Sequence, residues 1–260
     1  MSVRRKWPAV IAALMAMTAN AEPIRILDEI KSGREFQSRE VQAQQADDFA
    51  NPGMLWVERG AALWKTVDGE AGKSCASCHS AATTSMRGVA ARYPAFDADG
   101  KRVLDLEARI LQCRSRHQRA PAWRHESEEL LAITAYVAQQ SHGLPLKVAI
   151  DGGARTTFEA GQRLYTSRIG QLNLACSHCH DRQWGKKLLA DTVSQGQSNG
   201  YPTYRLEWQT LGSLQRRIRA CFYGVRAELP AFGADDIIAL ELYLAWRGEG
   251  LAIEAPAVRK

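Results

Sequence analysis

Two stretches of the chain carry an apolar period of three and four residues with defined ends. From about Ser127 to Gln140, the residues Leu130, Ile133, Tyr136 and Val137 fall on one side of a helix. From about Ala234 to Trp246 a second amphipathic helix is predicted. Asp235 and Asp236 favour its positive end, and Gly248 follows its finish. Two shorter segments, Gly60-Ala61-Ala62-Leu63-Trp64 and Gly161-Gln162-Arg163-Leu164-Tyr165, each predict a short helix with one apolar face. Alternating strand patterns are sparse, so the pattern predicts an all-α chain.

These elements recur in a fixed order. Leu106 to Cys113 and Leu214 to Cys221 are both basic-apolar stretches that end in a cysteine. Ala120-Pro121-Ala122-Trp123 is answered by Leu229-Pro230-Ala231-Phe232, and Ala132 to Ala138 by Ala239 to Ala245. Self-similarity over about a hundred residues implies two tandem copies of one domain, not a solenoid. The expected organisation is a leader at 1–21, an arm at 22–50, a first domain at 51–147 and a second at 148–260. The linker lies near Gly143-Leu144-Pro145 to Gly152-Gly153. Residues 22–50 hold few large apolar side chains and read as an extended arm whose use is not legible.

The leader rests on three features. Arg4, Arg5 and Lys6 form a charged start, Trp7 to Met17 is an apolar run, and Ala19-Asn20-Ala21 is a small-residue cleavage pattern. The run is too short to span a bilayer. The expectation is export to the periplasm, with no membrane insertion after the leader is removed. The whole chain has 34 Lys plus Arg against 28 Asp plus Glu, a charge of +6. Loss of the leader's three cations leaves +3, too small an excess to argue for a nucleic-acid partner. With 45% hydrophobic and 24% charged residues, the composition is that of a globular protein.

Six cysteines in an exported chain suggest three disulfides. The local sequence argues otherwise. Cys75-Ala76-Ser77-Cys78-His79 and Cys176-Ser177-His178-Cys179-His180 are both C-x-x-C-H, the pattern that attaches haem c. On one helical turn, two cysteines three apart face the same way, and the next residue can place its imidazole over the iron. A zinc site from two C-x-x-C pairs is the rival. It explains neither the adjacent His in both copies nor the wide separation. Two covalent haem groups are therefore expected, on Cys75 with Cys78 and on Cys176 with Cys179. His79 and His180 are the axial ligands, and His178 is expected to be exposed.

Each iron needs a sixth ligand. Met54 precedes the first motif, and Met86 follows His79 too closely. After His180 there is no Met or His, which leaves Cys221, with Lys186 and Lys187 as weaker donors. In the first copy Cys113 competes with His117, His125 and His142. Equivalence of the copies predicts His79/Cys113 and His180/Cys221. The alternatives are a buried free thiol in each copy or a Cys113–Cys221 disulfide. A thiolate ligand donates strongly and lowers the reduction potential, which suits a poor electron carrier.

Arg216, Arg217, Arg219 and Arg226 surround Cys221 in sequence. Arg217, four residues before it, falls on the same helix face. Its guanidinium fork would orient an oxyanion and keep the sulfur anionic. A solvated basic helix face is the alternative. Arg109 stands four before Cys113 in the same way, so spacing does not say which copy is catalytic.

With two C-x-x-C-H sites, a lone cysteine after each, and Arg-Arg-Ile-Arg-Ala-Cys-Phe-Tyr-Gly-Val-Arg-Ala-Glu from Arg216 to Glu228, the chain resembles the SoxA family of the SoxAX cytochromes. The resemblance covers nearly the whole mature sequence and implies the dihaem form. It implies oxidative conjugation of thiosulfate to a cysteine of a SoxYZ-like carrier, with a SoxX-like monohaem partner and two electrons leaving through haem to an acceptor cytochrome c. It also implies that Cys221 is the catalytic sulfur, found as a persulfide, that Arg217 binds substrate, and that the first-domain haem, on His79 and Cys113, is remote from the chemistry. A periplasmic dihaem electron-transfer cytochrome without sulfur chemistry is the alternative function. A peroxidase-like dihaem enzyme and a docking subunit are further rivals.

Overall fold

The computed structural model describes residues 27–260; the leader expected at 1–21 lies outside them. The arm begins with a 3-10 turn, Gly33–Phe36, closed by a reciprocal cap between Ser32 and Glu35. Helix α1, Arg39–Ala46, follows, with the Ser38 hydroxyl accepting from the Val41 amide. The arm is thus partly helical and not simply extended.

The first half then runs α2 (Met54–Lys65), α3 (Cys75–His79), α4 (Ala82–Ser85), a hairpin of β1 (Ala95–Asp97) and β2 (Arg102–Leu104), α5 (Leu106–Cys113) and α6 (Glu128–Gln139). A π-helical turn at Arg114–Gln118 continues α5 past Cys113. The second half runs α7 (Arg155–Thr166), α8 (Cys176–His180), a hairpin of β3 (Lys187–Leu188) and β4 (Asp191–Thr192), then β5 (Thr203–Arg205), β6 (Thr210–Gly212), α9 (Leu214–Gly224) and α10 (Asp235–Arg247). A last strand, β7 (Ala257–Arg259), pairs parallel with β5, which pairs antiparallel with β6. The fold is helical, as the periodicity predicts. The described residues add seven strands of two or three residues each, so the expectation of an all-α chain is too strict.

The same crossing occurs in each half: α2 packs on α6, and α7 on α10. Two glycines make it possible. A Cβ on Gly60 would lie 2.2 Å from the Ala132 carbonyl oxygen, and one on Gly161 2.0 Å from that of Ala239. Only hydrogen fits where the backbones meet. Around the second crossing Phe158, Tyr165, Tyr243 and Trp246 form a buried aromatic cluster. Around the first, Trp64 packs instead with the aliphatic Leu130, Ile133 and Val137. Burial of each large side chain contributes roughly 1.5–3 kcal/mol.

The halves meet at the starts of α5 and α9. Asp105 caps α5 and accepts a 2.5 Å hydrogen bond from Gln215 Nε2 of α9. Glu126 Oε1 accepts from the amide of Ser213, the N-cap of α9, at 3.2 Å. The two helices that end at the lone cysteines are thereby cross-linked at their origins. The arm fastens onto the carboxy-terminal strand: Gln45 Oε1 accepts from the Val258 amide at 3.2 Å, and Asn51 Nδ2 donates to the Pro256 carbonyl at 2.9 Å.

Candidate haem and sulfur site

Both C-x-x-C-H motifs fold as single helical turns, as the spacing requires. The first is capped by Ser74, whose hydroxyl accepts from the Ser77 amide, while Ser77 Oγ accepts from the Ser74 amide at 3.0 Å. In the second, His178 stands where Ser77 does, and its Nδ1 accepts from the Ala175 amide at 3.4 Å. His178 is half-buried, not exposed as expected, and it caps the turn.

The six cysteines are unbonded and fall into two groups of three. Cys75 packs against the first apolar cluster. Burial pushes its thiol up, and Cys113 and Cys78 are close enough to add to that shift. Cys176 packs against the second cluster, and burial with the neighbouring charge of Cys221 pushes its thiol up to about 12. Cys113 therefore sits with the first attachment pair and Cys221 with the second. This grouping is incompatible with a Cys113–Cys221 disulfide or a single four-thiol zinc site.

The competing donors are placed elsewhere. His117 and His142 are exposed. His125 Nδ1 lies 3.6 Å from Glu107 Oε2, and its ring stacks on Phe232. Lys186 and Lys187 are exposed, with Lys187 Nζ donating to Thr192 Oγ1.

His180 Nδ1 lies 2.8 Å from the Ser194 carbonyl oxygen. A carbonyl only accepts, so Nδ1 carries the proton and Nε2 is the ring nitrogen left to bind a metal. Gly196, at φ +71°, lets the loop come this close; a Cβ there would lie 3.0 Å from Cγ and Nδ1 of the ring. This tautomer, the two cysteines on the same turn and the sulfur of Cys221 beside His180 are a donor set that fits haem c. Around His79 the fit is supported by Trp64, whose ring lies 5.8 Å away and whose Nε1 donates to the Ser80 carbonyl at 2.9 Å.

The two lone cysteines differ in electrostatics. Burial, partly offset by Arg109 and Arg116, pushes the Cys113 thiol up. Burial also opposes a thiolate at Cys221. It is outweighed by the neighbouring His180 and by the positive charges of Arg217 and Arg205, which bring the thiol down to about 7.

The two arginines that spacing left equivalent also differ. Arg109 is locked: Nη2 pairs with Asp97 Oδ1 at 2.9 Å, Nε donates to Tyr93 Oη, and Nη1 donates to Gln112 Oε1 at 2.6 Å. Arg217 has no carboxylate within ion-pair distance among the described residues, and Cys221 is its strongest electrostatic partner. Its neighbours on α9 point to other tasks. The Arg216 guanidinium lies 4.1 Å from the Trp208 ring and 3.7 Å from Glu126 Oε2. Arg219 stacks 4.4 Å over Phe232 and donates to the Pro230 carbonyl. Of the arginine run on α9, Arg217 is the one whose charge acts on Cys221. Sequence reasoning missed Arg205, on β5, which adds positive field at Cys221 from sixteen residues upstream.

Comparison with known proteins follows this geometry. A family model described as the SoxA/TsdA cytochrome c domain matches residues 59–146. The chain is 43% identical to the L-cysteine S-thiosulfotransferase subunit SoxA of Pseudaminobacter salicylatoxidans, with 100% of both chains covered. It is 41% identical to the subunit of the same name from Rhodovulum sulfidophilum, over 89% of this chain and 81% of that one. The crystal structure of SoxXA from P. pantotrophus matches with a TM-score of 0.87 and 37% identity, covering 90% of this chain and 89% of that one. Full-length identity at this level, on a fold that groups a lone cysteine with each C-x-x-C-H turn, shows that the chain belongs to the SoxA family.

Proposed function

We propose that this chain is the dihaem subunit of a periplasmic L-cysteine S-thiosulfotransferase. In this reading, residues 51–147 and 148–260 are two tandem cytochrome c domains. One haem c is held by Cys75 and Cys78 with His79 and Cys113 as axial ligands, the other by Cys176 and Cys179 with His180 and Cys221. The partners are a SoxX-like monohaem cytochrome, a SoxYZ-like carrier and an acceptor cytochrome c. The apolar run at the amino terminus supports export. Among the described residues no helix is long and apolar enough to cross a membrane.

The reaction joins a carrier cysteine to thiosulfate: carrier–SH plus S₂O₃²⁻ gives carrier–S–S–SO₃⁻, one proton and two electrons. Haem supplies the exit for those electrons. The chain's own residues supply the rest. Arg217, with no carboxylate partner among the described residues, offsets the charge of the thiosulfate dianion and orients it with its terminal sulfur toward Cys221. Cys221, its thiol lowered to about 7, forms a disulfide bond with the terminal sulfur of thiosulfate as two electrons leave, and then yields the whole –S–SO₃⁻ group to the carrier thiolate, its own sulfur departing as thiolate. Arg205 adds positive field on the same side.

The observation that carries this reading is the asymmetry of the two arginines: Arg109 is neutralised by Asp97, whereas Arg217 faces a sulfur. It favours sulfur chemistry in the second half over a plain electron carrier. The test is to assay Cys221→Ala in the assembled complex with carrier and thiosulfate. Loss of conjugation with both haems still attached is expected; full activity would refute the assignment. An additional sulfur on Cys221 by mass spectrometry is expected in the enzyme and not in a carrier of electrons alone.

A further inference from the structure

The second half contains a buried ion pair that the first half does not. Arg247, at the end of α10, is 6% exposed and pairs with Asp181, the residue directly after His180. Tyr165 Oη donates to the same Asp181 oxygen at 2.7 Å, and the Arg247 guanidinium lies 4.5 Å over the Tyr165 ring. At the matching places the first half has Ser80, Trp64 and Gln140, and Gln140 only donates back to the Tyr136 carbonyl of its own helix. Burying two charges costs several kcal/mol per ion before their attraction offsets it, so such a pair is poor evidence of stabilisation alone.

What the pair holds is specific. Arg247 Nη1 donates to the Gln195 carbonyl at 3.0 Å. Gln195 lies between Ser194, whose carbonyl accepts the His180 Nδ1 proton, and Gly196, whose backbone lies against the imidazole. The Gln195 side chain is fully buried and is gripped by the arm: its Oε1 accepts from the Lys31 amide at 2.7 Å, and its Nε2 donates to the Glu29 carbonyl at 3.0 Å. One three-residue loop is thus clamped from α10 on one side and from the amino-terminal arm on the other. It fixes the ring of the residue read above as the second haem's axial ligand.

We propose that Arg247 and Gln195 are positioning residues for the second haem site: Arg247 and the arm hold the Ser194–Gly196 loop so that the His180 imidazole keeps one tautomer, one orientation and one hydrogen-bond strength. The inference rests on His180 as an iron ligand. An outer hydrogen bond on a ligating imidazole sets its basicity, and losing such partners typically changes metal affinity or activity 10–100-fold. The first haem, without this clamp, is an internal control in the same molecule.

The test uses the full chain with its haem attached. Arg247→Gln installs the first half's residue. Arg247→Lys keeps a charge for Asp181 but not the fork that also reaches the Gln195 carbonyl. Gln195→Leu removes the grip of the arm. Each is compared with the unaltered protein by electron paramagnetic resonance of the oxidised form, by potentiometric titration and by thermal unfolding. All three variants should move the second haem's signal and change its ferric–ferrous equilibrium about tenfold, about 59 mV for one electron, while the first haem's signal stays put. If Arg247→Lys and Gln195→Leu fold and leave the second signal and potential unchanged, the network is only structural and the proposal fails. The ligand reading fails separately if His180→Ala leaves both low-spin signals as they were.

Discussion

Arg217→Gln and Arg109→Gln form a matched pair, because the residues occupy the same place relative to a lone cysteine and differ only in what surrounds them. Arg109 already spends its donors on Asp97, Tyr93 and Gln112. Arg217 has no such acceptor among the described residues, and its fork is available to an anion. A hydrogen bond to a charged group contributes about 1.5–3 kcal/mol, and a two-point contact to a dianion therefore about 3–4 kcal/mol after partial rescue by Arg205 and solvent. At about 1.36 kcal/mol per decade, Arg217→Gln should lower kcat/KM for thiosulfate between about 10²- and 10³-fold. Arg109→Gln should leave kcat/KM within a factor of about three, and lower the melting temperature by releasing Asp97. The assay is the thiosulfate dependence of conjugation to the carrier, with haem content of each variant checked by absorbance. An Arg217→Gln enzyme with unchanged kcat/KM would refute the argument, as would an equal loss in Arg109→Gln.

Other outcomes follow from the same geometry. Gly60→Ala and Gly161→Ala each drive a Cβ to within 2.2 and 2.0 Å of a carbonyl oxygen on the crossing helix, so each should destabilise by about 1–3 kcal/mol, read by chemical denaturation. The Glu107 carboxyl is pushed up to about 7 by burial, against the opposing pull of His125, whose Nδ1 lies 3.6 Å from Oε2. It therefore holds a proton in the folded state that the unfolded chain releases near the ordinary carboxylate range. Stability from this group should fall as pH rises from about 4.5 through 7, and Glu107→Gln should flatten that fall, gaining on the order of 1–3 kcal/mol at pH 8. Cys75→Ala combined with Cys78→Ala should give a one-haem protein that still conjugates thiosulfate, by haem stain and turnover; loss of turnover with an intact second-haem spectrum would place the first haem in the reaction.

What was legible in the sequence is what short-range patterns encode. The C-x-x-C-H turns, the two short helices before them and the two closing helices each follow from residues within a few positions of one another. The bounds observed for α6 and α10 differ from the expected ones by a residue. The Cys113 and Cys221 groupings were reachable because the recurring sequence pattern supplied a second instance of each. The rest depends on partners distant in the chain. Asp97 decides the fate of Arg109 from a hairpin too short to show a period, and Asp181 meets Arg247 sixty-six residues later. The β5–β7 pairing joins segments some fifty residues apart with three residues each, below what alternation can reveal. The arm looked structureless because its interactions are made by glutamine, asparagine and backbone groups, which leave no apolar signal. His178 looked exposed because a capping role for histidine at the third helical position has no strong sequence signature.

Strand β7 forms one edge of the three-stranded sheet, and helix α1 closes over it through Gln45. The two partners of this seam stand 213 positions apart, so neither segment settles without the other, and removing either β7 or α1 should cost far more than the number of residues lost suggests.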